Sequence, residues 1–188
     1  MNKNQEKIAK ISSIFSKATT VFMILSVILA VVLLAASILI LSGTVNLDTL
    51  KLHAPVEAQY FVQNSQETTL GSVINPKGFA GLLGFAFISL IVGFLLLKEL
   101  RAIFVDLSKG VSPFHVNQVQ RLKKIANRSI VIALIGIVAS LYLRFTLNQP
   151  NLDLSINFGT IIFPFIIYFL AYIFEYGVEL QQLSDETL

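Results

Sequence analysis

Apolar residues along this chain gather into four long blocks, over 18–41, 78–97, 130–147 and 158–174, separated by polar segments. Each block predicts a membrane-spanning helix. The first carries no charge. As a helix rising ~1.5 Å per residue it would be about 36 Å long, enough to cross a hydrocarbon core of roughly 30 Å with some tilt. The second block is also uncharged, and the third holds one charge, Arg144, near its end. The fourth is the shortest and contains Pro164, so a buried core helix is the competing reading there. The basic flank of the first block, and Ala35, Ala36 and Ser37 within it, resemble parts of a cleaved signal peptide. Its apolar run is far longer than the usual ~7–15 residues, so a retained anchor is expected.

Between the blocks the period changes. Segment 45–52 alternates apolar and polar residues, 59–62 is aromatic and β-branched, and 151–158 alternates again. Such patterns predict short strands, here a small sheet on the outer side that closes that end of the helices. A receptor-like ligand site is the sharper alternative for it. Asn75-Pro76 then resembles a helix start. In the polar segment 98–129, Leu100, Ile103, Phe104 and Leu107 fall at helical spacing. Lys109-Gly110 is a stop, because glycine takes the left-handed cap conformation cheaply. Ser112-Pro113 is a start, with a hydroxyl cap followed by proline at the first helical position. Val116, Val119, Leu122, Ile125 and Ala126 then form an apolar stripe that runs on into the third block. The prediction is a helical hairpin with its tip at 110–113 and arms reaching roughly 15–20 Å past the membrane. After the fourth block, Ile173, Tyr176, Leu180 and Leu183 line one predicted helix face. Gly177 in that helix costs about 1 kcal/mol relative to Ala. The expected fold class is therefore an all-α membrane protein. It is a single domain, a bundle of four transmembrane helices with cytoplasmic helical extensions and a small extracytoplasmic β element.

Composition agrees. The chain is 55% hydrophobic with a mean hydropathy of +0.76, and only 13% of it is charged, against about 25% in soluble domains. Charge supplies the orientation, since short cytoplasmic loops retain Lys and Arg. Lys3, Lys7, Lys10 and Lys17 precede the first block, and Lys98, Arg101, Lys109, Arg121, Lys123, Lys124 and Arg128 lie in the central break. Only Lys51, Lys77 and Arg144 fall elsewhere. Segments 1–17, 98–129 and 175–188 are thus expected inside, with both termini, and 42–77 and 148–157 outside. The bases are topogenic, so the pI near 9.2 does not point to a direct nucleic-acid partner; the bilayer is the expected one. The tail carries Glu175, Glu179, Asp185 and Glu186 and no base. It is expected to pack beside Arg121, Lys124 and Arg128. Apolar stripes would hold that contact and ion pairs of about 0–1 kcal/mol would set its register.

Candidate chemistry is sparse. There is no cysteine, and the two histidines, His53 and His115, fall on opposite sides of the predicted membrane and cannot share a metal. None of the metalloprotease, nucleophile-elbow or phosphate-loop motifs occurs. No catalytic residue, cofactor or metal site is expected. Arg144 is the one intramembrane charge. Mid-bilayer it would cost about 2.5–3.5 kcal/mol, but near the outer end its stem can snorkel to the interface, with Asp153 as a partner. A substrate or ion role is the alternative. Gly81, Gly84, Gly93 and Gly136 mark either bends or, more commonly, close helix packing.

The central break and the tail together resemble one family. Gly110, Ser112, Pro113, Phe114, Asn117, Arg121 and Leu122 match an inside turn followed by an Arg-Leu helix. The ending Gly177-Val178-Glu179-Leu180-Gln181-Gln182, with Asp185, Glu186 and Thr187, matches a closing pattern. The chain thereby resembles, over its whole length, the bacterial membrane family catalogued as domain of unknown function 2975, the YoaS-like proteins. That resemblance implies no enzymatic activity and no cofactor. It implies a neighbourhood of small helix-turn-helix regulators, and so a membrane protein that docks such a regulator. The docking residues on this reading are Gly110, Ser112, Pro113, Phe114, Asn117, Arg121, Glu179 and Asp185. A small transport or toxin-immunity protein acting through its spans is the alternative.

Overall fold

A computed structural model of the chain describes residues 3–45, 75–146 and 158–186. They form four helices: α1 (Lys3–Leu41), α2 (Pro76–Ser108), α3 (Val116–Thr146) and α4 (Phe158–Glu186). Each contains one of the apolar blocks, the third to within a residue, and each continues past it. The longest, α1, has 39 residues and so measures about 58 Å. The described residues contain no strand. The sheet expected from 45–52, 59–62 and 151–158 lies almost wholly outside the described residues. Of its edges, Val45 is in a bend and Phe158 opens α4 rather than ending a strand.

The chain divides into two compact units. The first comprises Met1–Ile28, Leu90–Ala133 and Asn157–Leu188. Its core is Ile125, Ala126 and Ile167, with Leu96, Leu100, Ile103 and Tyr168 packed around them. The predicted stripes on the hairpin arms thus face each other. Phe104 turns instead to α1, where its ring stacks on Phe15 with centroids 5.3 Å apart. Ala126 and Ala171 are completely covered, as expected where small side chains let helices approach. Buried hydroxyls bond their own helices, Thr19 to the Phe15 carbonyl at 2.7 Å and Ser129 to the Ile125 carbonyl at 2.9 Å. The helix α4 runs through Pro164, which is fully buried. The competing core-helix reading fails, because the same helix leaves Phe163, Phe165, Ile166 and Phe169 exposed.

One expected face is reversed. Ile173, Tyr176, Leu180 and Leu183 are 46–62% exposed, whereas Ala171 and Val178 are buried. The inward side of α4 is its small-residue side, because a close neighbour gains more contact there than over bulky side chains.

The second unit comprises Leu29–Ser89 and Leu134–Ile156. The helix start at Asn75-Pro76 is as predicted. Asn75 Oδ1 accepts the Gly78 amide and the Asn75 carbonyl accepts the Phe79 amide at 2.9 Å, while Pro76 lacks the donor that would be left over. Ile40 and Ala80 form the core with Val45, Phe79 and Leu83. Tyr142 lies against Phe85, centroids 5.4 Å apart, and directly over Gly81. Gly84, Gly93 and Gly136 have no such neighbour.

Most of the apolar surface remains uncovered. Val21, Phe22, Ile24 and Leu25 of α1 are each about half exposed. Four helices are long and apolar enough to cross a membrane, and a helix satisfies its own backbone in lipid. This is a multi-pass membrane protein.

A substitution pair separates core from lipid-facing positions. Ala126→Leu overpacks the first unit and should cost about 1–3 kcal/mol. Phe169→Ala, which removes a larger but exposed side chain, should cost less. Unfolding in mixed detergent micelles measures both.

Candidate functional site: the turn between the second and third helices

The turn is built by local backbone chemistry. Gly110 has φ +82°, the left-handed region that side chains disfavour. The Gly110 amide donates to the Leu107 carbonyl at 3.1 Å and the Val111 amide to the Asp106 carbonyl at 3.1 Å. These two bonds form a Schellman cap, which ends α2 and satisfies carbonyls left open at its last turn.

The restart differs from expectation. Ser112 accepts the Phe114 amide at 3.2 Å and so shapes the turn, but α3 begins only at Val116. The cap is His115. Its Nδ1 accepts the Asn117 amide at 3.2 Å and its carbonyl accepts the Gln118 amide at 2.8 Å. Ser112-Pro113 was expected to fill that role, and the three-residue offset follows from the hydrogen bond Ser112 makes within the turn. Histidine is not among the usual capping residues, so no sequence signal marked it. The acceptor role requires the tautomer with an unprotonated Nδ1.

Phe114 has its partner within the chain. Its ring lies 5.4 Å from the ring of Phe174, and a Cβ on Gly177 would sit 2.5 Å from its edge. The glycine that weakens α4 therefore makes room for an aromatic side chain of the turn. Helix propensity and packing oppose each other at this position, and packing decides it.

Charges brace the same region. Arg121 donates to Asp106 Oδ2, which also accepts from Gln118 Nε2 at 3.1 Å. Gln118 is only 2% exposed, and its Oε1 is buried without a partner among the described residues. Such an acceptor costs about 1–3 kcal/mol. Arg128 bonds the Leu95 carbonyl and pairs with Glu99 at 3.2 Å. Lys123 Nζ meets both oxygens of Glu175, at 2.8 and 2.9 Å, and lies 5.2 Å from the centre of the Tyr172 ring.

The contact between tail and basic arm thus exists, but through other residues. Arg121 and Arg128 face α2, and Lys123, about 200° around the helix from Arg121 at 100° per residue, faces α4. Lys124 and Glu179 are exposed, and Glu179 forms no ion pair with Arg121 or Lys124. The side chains of Asp185 and Arg144 lie outside the described residues. Spacing points to the wrong face of α3 for the tail, and it does not identify Asp106 and Gln118 as bracing residues or His115, though at a helix start, as the cap.

The resulting surface is fixed in shape and still accessible. Pro113, Phe114, His115, Val116 and Asn117 are exposed in a row, Lys109 and Gly110 adjoin them, and Ser112 is half-buried beneath. No group of three or more His, Cys, Asp or Glu side chains capable of holding a metal occurs among the described residues. The arrangement offers apolar, imidazole and amide contacts for recognition.

Substitution at Gly177 should change sign with its neighbour. Gly177→Ala in the natural background displaces the Phe114 ring and should lower stability, despite the better helix former. In a Phe114→Ala background the same change should raise stability by about 1 kcal/mol. Thermal melts of the four proteins in detergent read the cycle, and a stabilising Gly177→Ala in both backgrounds would sink the contact. In comparisons with family models, curated proteins and solved structures, none matches this chain.

Proposed function

We propose that this chain is a non-enzymatic protein of a bacterial cytoplasmic membrane that docks a small helix-turn-helix transcription regulator on its inner face. One observation carries the reading. The turn between α2 and α3 is over-determined by a Schellman cap, an Asp106–Arg121 brace and the Phe114–Phe174 contact, yet it leaves five consecutive side chains exposed. A turn needed only to connect two helices requires none of the tertiary contacts. A partner surface benefits from them, because a preorganised loop pays less ordering entropy on binding. The same residues, Gly110, Ser112, Pro113, Phe114, Asn117 and Arg121, carry the family resemblance and its association with regulators.

The orientation follows from the bases. Eleven of the fourteen Lys and Arg residues lie in 1–17 and 98–129, so those segments and the helix ends beyond the apolar blocks face the cytoplasm on this reading. Glu179 and Glu186 on the exposed side of the α4 tail add an acidic margin to the docking face. The alternative, transport or toxin immunity through the spans, rests on Arg144, whose side chain lies outside the described residues.

Two experiments test this. The sequence has no cysteine, so single cysteines report topology against a clean background. Ser42→Cys should react with a membrane-impermeant maleimide in intact cells, and Ser112→Cys only after permeabilisation. The opposite pattern would invert the molecule. For docking, a small helix-turn-helix regulator of the kind the family resemblance implies, encoded beside the gene, should co-purify with the full chain in detergent. Replacing Val116 and Asn117 by Glu should reduce that recovery at least about tenfold, as expected for contacts at the centre of an interface. Unchanged recovery and unchanged regulator activity would remove the turn as the docking surface.

A further inference from the structure

In the first unit, α1 and α2 leave between them an open groove of about 430 Å3, a volume typical of small-ligand sites, roughly 300–1,000 Å3. The groove has two chemically different ends. Met23, Ile24, Val27 and Ile28 of α1 and Phe94 of α2 give it an apolar trough. Thr20 and Arg101 close its other end. Arg101 Nε donates to Thr20 Oγ1 at 2.9 Å, and the Thr20 hydroxyl donates to the Ser16 carbonyl at 2.9 Å. That fixes the guanidinium through one of its five N–H donors, while the side chain as a whole remains exposed.

The polar end sits where the apolar blocks meet the basic segments. Lys17 and Lys98 are exposed and lie one turn from Thr20 and Arg101 on the same helix faces, by the three-residue spacing. From Thr20 to Ile28 the helix rises about 12 Å, close to the thickness of one hydrocarbon leaflet, about 15 Å.

We propose that this groove binds an anionic phospholipid from the leaflet on the basic side. Its phosphate sits on Arg101, with Lys17 and Lys98 near, and one acyl chain lies along Ile24, Val27, Ile28 and Phe94. The charge at one end and the apolar trough at the other match a single amphipathic ligand. A free phosphate ion would leave the trough unfilled and its lining short of dispersion contacts. A peptide segment in the trough would have to satisfy its backbone polar groups at membrane depth. Basic pockets between transmembrane helices are general binding places for anionic headgroups. The site stands apart from the turn and does not depend on the docking reading or on the sidedness of the chain.

The test uses the full chain in nanodiscs and in detergent. Native mass spectrometry after delipidation and titration compares phosphatidylglycerol with phosphatidylcholine of identical acyl chains. One phosphatidylglycerol per chain should be retained, with affinity at least about tenfold above that for phosphatidylcholine, given three basic residues at the mouth. Arg101→Gln should abolish that preference. Ile24→Trp, which fills the trough and leaves Arg101 in place, should lower affinity for both lipids. Circular dichroism verifies helix content, and if Arg101→Gln does not fold, Ile24→Trp and the comparison of the two lipids on the natural chain decide. Millimolar inorganic phosphate should leave the bound lipid in place. Equal retention of the two lipids, undiminished binding by both variants, or full displacement by phosphate would each overturn the proposal.

Discussion

Within hydrocarbon a peptide group finds no water, so each N–H and C=O facing lipid must be bonded inside its own helix. The rest of this structure depends on that constraint. It turns every apolar block into an uninterrupted helix, including the block with Pro164, and it moves the irregular backbone to the ends. It also changes what holds the helices together. Lipid tails are as apolar as leucine, so association falls to close fit rather than to hydrophobic burial. The completely covered alanines Ala126 and Ala171, and the many half-exposed Leu, Ile and Phe side chains around them, are the consequence.

Past the ends of the apolar blocks, polar contacts take over. The hairpin of α2 and α3 is cross-braced by Asp106 with Arg121 and by Glu99 with Arg128, and tied to α4 by Lys123 with Glu175. Part-exposed pairs of this kind contribute little singly, about 0–1 kcal/mol. Their arrangement is more informative than their sum. Each face of α3 has acidic partners on one neighbour only, so charge fixes which side of α3 meets which helix. Phe114 over Gly177 then sets how closely the turn approaches α4. The turn and the α1–α2 groove draw on different parts of the first unit.

Much of this was legible in the sequence. Block lengths and charge-free runs determined four helices, Asn75-Pro76 determined the start of α2, and Lys109-Gly110 determined its end. Each rests on forces acting within a few residues, such as hydrogen bonds along one helix, a missing proline N–H, or a left-handed glycine. The apolar spacing of Leu100, Ile103, Ile125 and Ala126 also identified the facing sides of the hairpin. Reasoning from spacing failed where two faces competed. Ile173, Tyr176, Leu180 and Leu183 make a regular stripe, yet it is exposed. Beyond a membrane span an apolar stripe can meet another helix of the chain or stay uncovered, and hydropathy does not distinguish the two.

The turn divides the same way. Sequence by itself determined that a helix stops at Gly110, because φ +82° is a local requirement. Only the tertiary structure decided that His115 caps α3, that Lys123 rather than Lys124 meets the tail, and that Phe114 rests on Gly177. Local backbone rules act through neighbours along the chain and can be read from it. Shape fit and charge pairing act across space, between residues as far apart in sequence as Phe114 and Gly177, and they exist only once the helices have been brought side by side.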